Sequence, residues 1–413
     1  MFPYFSDEIF IIFVSAGMLF TIPGIRFLPD MKVLIVSNNV FLRGNGVCTA
    51  VQSLKSRLLK AGIDVRLLTG ENPEAGGPQP DYPLKPFIFP FFQPIITANG
   101  YSFSRLDKKM IREAVRWADV VHLMEGFPLQ SATVKAAEEA GKPCVGTYHI
   151  FTENITANLG IGYETFVNRL INRWWSSAVY NRCAYVQCPT RTVRDHLQEN
   201  GYTAPLKVIS NGIEPVGHPE QSKGIKTDPF RILCTGRLSN EKSQMTLIKA
   251  MRHSRHAGEI GLHFAGNGPK SRKIMKAAHR LVEDGILVHE PVFGFYTQKE
   301  LRDLAATSYL YVHCATIEVE GLSCLEALQQ GAVPVIARSR LSAASQFALD
   351  ERSVFTAGDP KELAERIDWW IEHPEERMNM GKLYVGSVKA YDAADSTSKI
   401  IRMYEEAIGE TDK

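Results

Sequence analysis

Short β-branched runs alternate with amphipathic stretches twice along this chain, and that double alternation limits the fold more than any other feature. From Met31 the candidate strands are Lys32–Ser37, Asp64–Leu68, Asp119–Leu123, Pro143–Tyr148, Tyr185–Cys188 and Lys207–Ser210. Between them lie stretches such as Val47–Ala61, Leu106–Trp117 and Leu129–Ala140, apolar along one helical face. Strand, helix, strand repeated in this way builds a parallel sheet covered on both faces. Residues 71–100 are Pro-rich and read as a long surface loop. A polar stretch from Glu214 to Asp228 reads as a linker, after which the alternation restarts. The second set of strands is Phe230–Thr235, Leu262–Ala265, Ile286–His289, Tyr309–His313 and Val333–Ala337. The expected fold is α/β, with two doubly wound, Rossmann-like domains facing across a cleft. A chain of 413 residues also exceeds what one hydrophobic core fills. The expected division is 1–30 an extension, 31–213 and 229–394 the domains, 214–228 the linker and 395–413 a terminal amphipathic helix.

The first thirty residues stand apart. Ile9 to Ile25 carries no charge, and the apolar stretch continues to Leu28 past Arg26. Asp7 and Glu8 precede it where a signal peptide would be basic. It reads either as the product of an upstream start codon or as a membrane anchor, because Met31 opens the first strand.

Charge excludes one class of partner and leaves another open. A formal net charge of +2 argues against a dedicated nucleic-acid binder. Residues 31–215 nevertheless carry 20 Lys and Arg against 15 Asp and Glu. The excess gathers at Arg169, Arg173, Arg182, Arg191, Arg194 and Lys207, either a solvated basic face or a contact for an anionic surface. The seven cysteines form no Cys-x-x-Cys pair and sit in apolar runs, as core residues of a reducing, cytoplasmic compartment. The eleven histidines make no metal-binding pair, so no metal site is expected.

Ligands of open α/β sheets bind beyond the carboxyl ends of the strands. In the loop after the first strand, Gly44 and Gly46 precede a helix whose N–H groups could face a phosphate, or they form a plain turn. After Phe230–Thr235, Arg237 and Lys242 lie five residues apart before a helix. They are either diphosphate-binding cations or ordinary exposed charges. Gly266 and Gly268 in "AGNGP" suit a tight turn beside a ligand. They are not a nucleotide P-loop, because Pro269 separates Gly268 from Lys270. In "IEVEGLSCLE", Glu318 precedes a helix expected after Gly321 and Glu326 lies on it. The two carboxylates could accept hydrogen bonds from sugar and ribose hydroxyls, or be one helix-start charge and one surface Glu. His149 follows a strand directly, as a structural residue or a functional one.

Taken in order, "RGNGV", "TYH", "VISNGIE", "GRLSNEK", "AGNGP" and "EVEGLSCLE" resemble the family-4 retaining glycosyltransferases of the GT-B fold, glycosyl transferases group 1. The resemblance covers the chain from about Met31 to its end. It implies a nucleotide sugar as donor, a UDP- or GDP-sugar, and no cofactor. It places the Gly46 backbone near the donor diphosphate, and Arg237 and Lys242 on that diphosphate. Glu318 would hold the donor sugar, Glu326 the ribose, and His149 would stand beside sugar and acceptor. Asn211, Gly266, Gly268, Gly321 and Leu322 would line the donor site, and the terminal helix would return to the first domain. Retention of configuration also comes from the resemblance: the leaving phosphate takes the acceptor proton, and Glu318 positions the sugar without becoming a nucleophile.

The chain departs from the family pattern at Glu320, where an aromatic residue is usual, which puts the sugar's identity in question. No Asp-x-Asp pair is present, so Arg237, Lys242 and helix-start amides are expected to meet the developing charge without a metal. The segment "YETFVNRLINRWWSSAVYNR" either lies on an anionic membrane beside a lipid acceptor or is a helix that buries its aromatic side in the first domain, and it loosely resembles diacylglycerol glucosyltransferases. The expected acceptor is therefore a lipid or glycan of glycolipid or cell-envelope polysaccharide synthesis. The expected location is cytoplasmic, peripheral on the inner face of an anionic membrane. The competing readings are a nucleotide-sugar epimerase or hydrolase, a sugar phosphorylase, and a non-catalytic nucleotide-sugar-binding protein.

Overall fold

A computed structural model describes residues 31–411 except 43, 92, 99, 159–161, 163–164 and 217–226. The apolar extension and most of the expected linker therefore lie outside the described residues. In chain order, the first half contains β1 Lys32–Val36, β2 Asp64–Gly70, β3 Tyr82–Leu84, β4 Pro86–Phe87, β5 Phe103–Ser104, β6 Val120–Leu123, β7 Cys144–Thr147, β8 Tyr185–Cys188 and β9 Leu206–Val208. Its helices are α1 Gly46–Lys60, α2 Gln93–Ala98, α3 Lys108–Trp117, α4 Pro128–Glu139, α5 Thr152–Asn158, α6 Phe166–Ala178 and α7 Arg191–Glu199. The second half contains β10 Phe230–Thr235, β11 Ile260–Ala265, β12 Val292–Gly294, β13 Leu310–His313, β14 Ile317–Glu318, β15 Val333–Arg338, β16 Leu341–Ser342 and β17 Val354–Thr356. Its helices are α8 Met245–Ala250, α9 Ser271–Glu283, α10 Gln298–Ala306, α11 Leu322–Gln329, α12 Pro360–Glu372, α13 Pro374–Ser387 and α14 Ala393–Thr411.

Both large sheets are parallel throughout. Their orders are β3-β2-β1-β6-β7-β8-β9 and β12-β11-β10-β13-β15-β17. Each order reverses at its first strand, so the switch points lie between β1 and β6 and between β10 and β13. Loops leaving those strands open a crevice there. The strands read as continuous apolar runs because helices cover both faces. Val33, Leu34, Ile35 and Val36 of β1 are fully buried, as are Ile232 and Leu233 of β10.

Two separate cores follow from two sheets, and the end of the chain joins the first. Ile400, Ile401, Met403, Tyr404 and Ala407 of α14 pack into the core around β1. The Tyr404 hydroxyl lies 2.6 Å from Nδ1 of His122 on β6. The chain thus crosses between halves twice, and the crossings are zipped together. Ile213 N–H donates to Tyr391 O at 2.9 Å, and Ala393 N–H to Ile213 O at 3.1 Å. Gly212 has φ +75, and a Cβ there would come within 2.7 Å of the Ala393 Cα. Among the described residues, no helix is long and apolar enough to cross a membrane. All seven cysteines are buried and unpaired.

Two expectations need correction. Ile286–His289 is not a strand; β11's neighbour is β12, a few residues later. Residues 71–100 are not one loop, because they hold β3, β4 and α2. The final strand, β17, has no counterpart among the expected strands. The common cause is edge position. β3, β12 and β17 are three residues long and pair on one side only, so a short run suffices. An edge also tolerates Pro83 inside β3.

Candidate active site

The loop after β10 is shaped by backbone packing before any ligand is considered. A Cβ on Gly266 would lie 2.0 Å from Gly236 O, and one on Gly268 would lie 2.5 Å from Leu238 O. The two glycines let the "AGNGP" turn press against the loop carrying Arg237. Leu238 N–H donates to Asn267 O at 3.0 Å, and Lys270 N–H to Leu238 O at 2.9 Å. So these glycines underlie the site by positioning Arg237.

Each cation after β10 is braced by a carboxylate. Arg237 Nη2 donates to Glu241 Oε1 at 2.5 Å, and the Glu241 side chain is almost wholly buried. Burial opposes the Glu241 charge, yet Arg237 beside it holds the carboxyl below its ordinary value. Lys242 Nζ donates to Glu318 Oε2, and His313 Nε2 stands 3.3 Å from the same oxygen. Burial would raise the Glu318 carboxyl, but Lys242 and His313 pull it down to about 2. Glu318 is therefore a fixed anion at any physiological pH. Thr316 N–H donates to Glu241 O at 2.8 Å and couples the two loops. Glu241 and His313 escaped the sequence reading; Glu241 adjoins Lys242, but a single Glu carries no signal.

Glu326 lies on α11, which starts at Leu322 after Gly321 in a left-handed conformation at φ +92. Gln298 Nε2 on α10 donates to its carboxylate. Burial pushes the Glu326 carboxyl up to about 7, against the pull of Gln298 and Arg302. Glu326 and Leu322 line a cavity of about 790 Å³ between the halves, with Phe295, Tyr296, Gln298 and Arg302 beside them. Asn211 and Arg57 line it from the crossing segment and α1. That volume lies in the range of small-molecule and cofactor sites.

The first half meets this site through the loop before α1. Asn45 caps the helix, its side chain accepting from Val47 N–H at 2.9 Å and Cys48 N–H at 3.2 Å. Two amides at the helix start are therefore already satisfied, which narrows what Gly46 can offer a phosphate. Gly44 has φ +76, and a Cβ there would sit 3.3 Å from the Phe295 ring. Across the cleft, a Cβ on Gly100 would lie 3.7 Å from Arg237 Nη1. His149 follows β7, and its buried Nε2 has no hydrogen-bond partner among the described residues. Burial lowers its pKa to about 4, so the ring is neutral at pH 7. The structure thus clusters Arg237, Lys242 and Glu318, sets Asn211, Leu322 and Glu326 on the cavity, and leaves His149 on the first-half side.

Two facing doubly wound halves with a shared cleft form the GT-B architecture of glycosyltransferases. Residues 219–383 match the family described as Glycosyl transferases group 1, and residues 44–216 match Glycosyltransferase Family 4. The chain is 23% identical over 321 residues to the alpha-monoglucosyldiacylglycerol synthase of Streptococcus pneumoniae, spanning 74% of this chain and 71% of that one. It is 44% identical to the catalytic domain of a Helicobacter pylori cholesterol-alpha-glucosyltransferase, over 40% of this chain and all of that one, with a TM-score of 0.36. Anabaena HepE, solved with UDP-glucose, matches 91% of this chain with all of its own at 16% identity and a TM-score of 0.67. The chain belongs to the family-4 glycosyltransferases and is an enzyme of the GT-B type.

Proposed function

We propose that this enzyme moves a hexose from a nucleoside-diphosphate sugar to a lipid hydroxyl, with retention of configuration and without a metal ion. The observation that carries the proposal is the Arg237–Lys242–Glu318 cluster at the carboxyl ends of the second sheet, on the same half as Glu326, which lines the cavity between the halves. Breaking the sugar–phosphate bond puts negative charge on the departing diphosphate. Cations already fixed by carboxylates stabilise that charge without reorganising. Arg237 and Lys242 are the cations at hand, each already held by a carboxylate. Glu318 orients the sugar, Glu326 takes the ribose hydroxyls, and the leaving phosphate oxygen accepts the acceptor proton. The neutral His149 ring has Nε2 left to hydrogen-bond the acceptor or the transferred sugar.

The lipid acceptor rests on the name of the pneumococcal relative and on an inverted helix. α6 buries Asn168, Asn172, Trp175 and Ser176, and turns Phe166, Val167, Leu170 and Trp174 to solvent beside Arg169 and Arg173. A second apolar surface is formed by Phe87, Ile88, Phe91 and Ile95, with Phe91 96% exposed. An aromatic row of Phe87, Phe89, Phe103, Phe127 and Trp175 links the two. Apolar faces flanked by arginine suit the interface of an anionic bilayer, on which the enzyme would lie as a peripheral cytoplasmic protein.

The test is a thermal-shift screen of UDP-, GDP- and ADP-sugars, followed by transfer assays with lipid acceptors in EDTA. A donor at 100 times its Kd adds about 2.7 kcal/mol of stability. The expected result is EDTA-resistant transfer to a lipid, with an α-linked product from an α-linked donor. Donor breakdown that ignores acceptor marks an epimerase or hydrolase instead, and binding without turnover marks a non-catalytic protein. Vesicle binding by the wild type that Leu170→Ser with Trp174→Ser leaves intact overturns the membrane surface.

A further inference from the structure

Glu320 lies two residues past Glu318, the last residue of β14, and the two point into different chemistry. Glu318 meets Lys242 and His313, whereas Glu320 turns to the segment that crosses between the halves. The Glu320 carboxylate is 3% exposed as a residue and is surrounded by donors. Ser210 Oγ donates to Oε1, the Asn211 backbone N–H lies 3.2 Å from both oxygens, and Asn211 Nδ2 donates to Oε2 at 2.7 Å. Asn211 O in turn accepts from Arg57 Nη1 at 2.8 Å, and Arg57 Nη1 also reaches Ala393 O at 3.3 Å. Between the two glutamates, Val319 O accepts from Thr190 Oγ1 of the first half at 3.0 Å. Three consecutive residues therefore join the donor cluster, the first half and both crossing segments.

We infer that Glu320 is a positioning residue: its ionised carboxylate ties the Glu318 loop to the crossing segment and so holds Glu318 in register with the cleft. The inference rests on the reading of Glu318 as a donor-facing group.

An ionised carboxylate fits the Asn211 contacts, whose N–H groups only donate as placed; a proton on Oε2 would displace one of them, whereas Ser210 Oγ, which also accepts from Gly212 N–H, can take either role. The groups around it are Glu318 on its own loop, Arg57 on α1 and Tyr391 before α14. Glu214 and Asp392 share the field of Arg57. Burial pushes the Glu320 carboxyl up and the Glu318 charge adds to that, while Ser210 and Asn211 pull it down; the balance lies at about 7. The tether is then made above neutrality and loosened below it.

Two readouts on the full chain test this, one independent of turnover. Spin labels at exposed Lys60 and Lys299 report the separation of the halves, and donor turnover is followed from pH 5.5 to 8.5. For the wild type, the label distances should broaden and kcat fall together below about pH 7. Glu320→Gln should be broad at every pH, with kcat at pH 8 down about 10- to 100-fold, the scale of a small misplacement of a reacting group. Ser210→Ala, which removes one stabilising donor, should move the wild-type midpoint upward. If Glu320→Gln fails to fold, that shift in Ser210→Ala decides the matter. Label distances that ignore both pH and substitution overturn the tether. Distances that respond while no donor is consumed keep the tether and overturn the transferase reading.

Discussion

The two halves share a topology and differ in what stands at the ends of their strands. Beyond β10 and β13 the side chains are charged and compensated: Arg237 with Glu241, and Lys242 with Glu318. Beyond β6 and β7 they are buried among neutral partners. Glu125 accepts from Asn38 N–H and Nδ2, each at 2.8 Å, and from Gln130 Nε2 at 2.9 Å, and burial raises its carboxyl above the ordinary range. Burial likewise keeps His149 uncharged at pH 7. One sheet thus ends in paired charges, and its twin in buried groups with neutral partners. The same scaffold serves both by changing which charges are paired at the switch point.

Arg237→Ala is the strongest attack on that contrast. Losing one fixed donor to the developing charge should cost about 2.7–4 kcal/mol, or 10² to 10³ in kcat. Near-native steady-state turnover in Arg237→Ala would show that the second half is not the anionic side. Glu326→Gln should act on binding instead. A hydrogen bond to a charged group is worth about 1.5–3 kcal/mol, so donor KM should rise tenfold or more with kcat little changed. His149→Ala should reduce transfer while leaving the thermal shift by donor intact, because the ring stands on the other half. Its pKa of about 4 also means that an inflection in rate near pH 7 does not belong to His149. If His149→Ala abolishes that inflection, the neutral side is charged after all.

Much of this layout is written in local pattern, and the remainder is not. The buried parallel strands declare themselves because both faces must be apolar, so β1, β6, β10 and β13 stand out as continuous runs. The edge strands β3, β12 and β17 need only a few residues and one partner, which no composition signal marks. In the site, spacing left Arg237, Lys242, Glu318 and Glu326 open between ligand contacts and ordinary charges, and only the family resemblance singled them out. Glu320 was visible only as an oddity of charge, because its partners Ser210 and Asn211 lie more than a hundred residues away. Orientation was equally hidden at α6, where Asn168, Asn172 and Ser176 share the buried face with Trp175. Asn168 and Asn172 find Thr152 there, each at 3.2 Å, a pairing that helical periodicity cannot supply.

The smallest expected effect is on stability, and its sign separates the carboxylates. Glu320 and Glu326 titrate near 7 in the folded enzyme, above the ordinary value of 4.5. Between those values the folded state binds more protons than the unfolded one, so these two groups make stability fall as pH rises. Glu318 works in the opposite sense. Held at about 2, it contributes stability that is complete above pH 4.5 and is lost as pH falls toward 2. His122, His149 and His263 are kept neutral by burial, well below their ordinary 6.5, and give the opposite slope below that pH, so the wild-type Tm sums opposed contributions. Scanning calorimetry from pH 5 to 8 therefore compares Glu326→Gln with the wild type: the downward contribution of the carboxyls should shrink by the share of one proton, since one of the two raised carboxyls is gone. A slope unchanged by that substitution would place the neutral titration elsewhere in the chain. A slope that reverses would mean that Glu326 is paired and anionic like Glu318, and the contrast between the compensated cluster and the cavity wall would disappear.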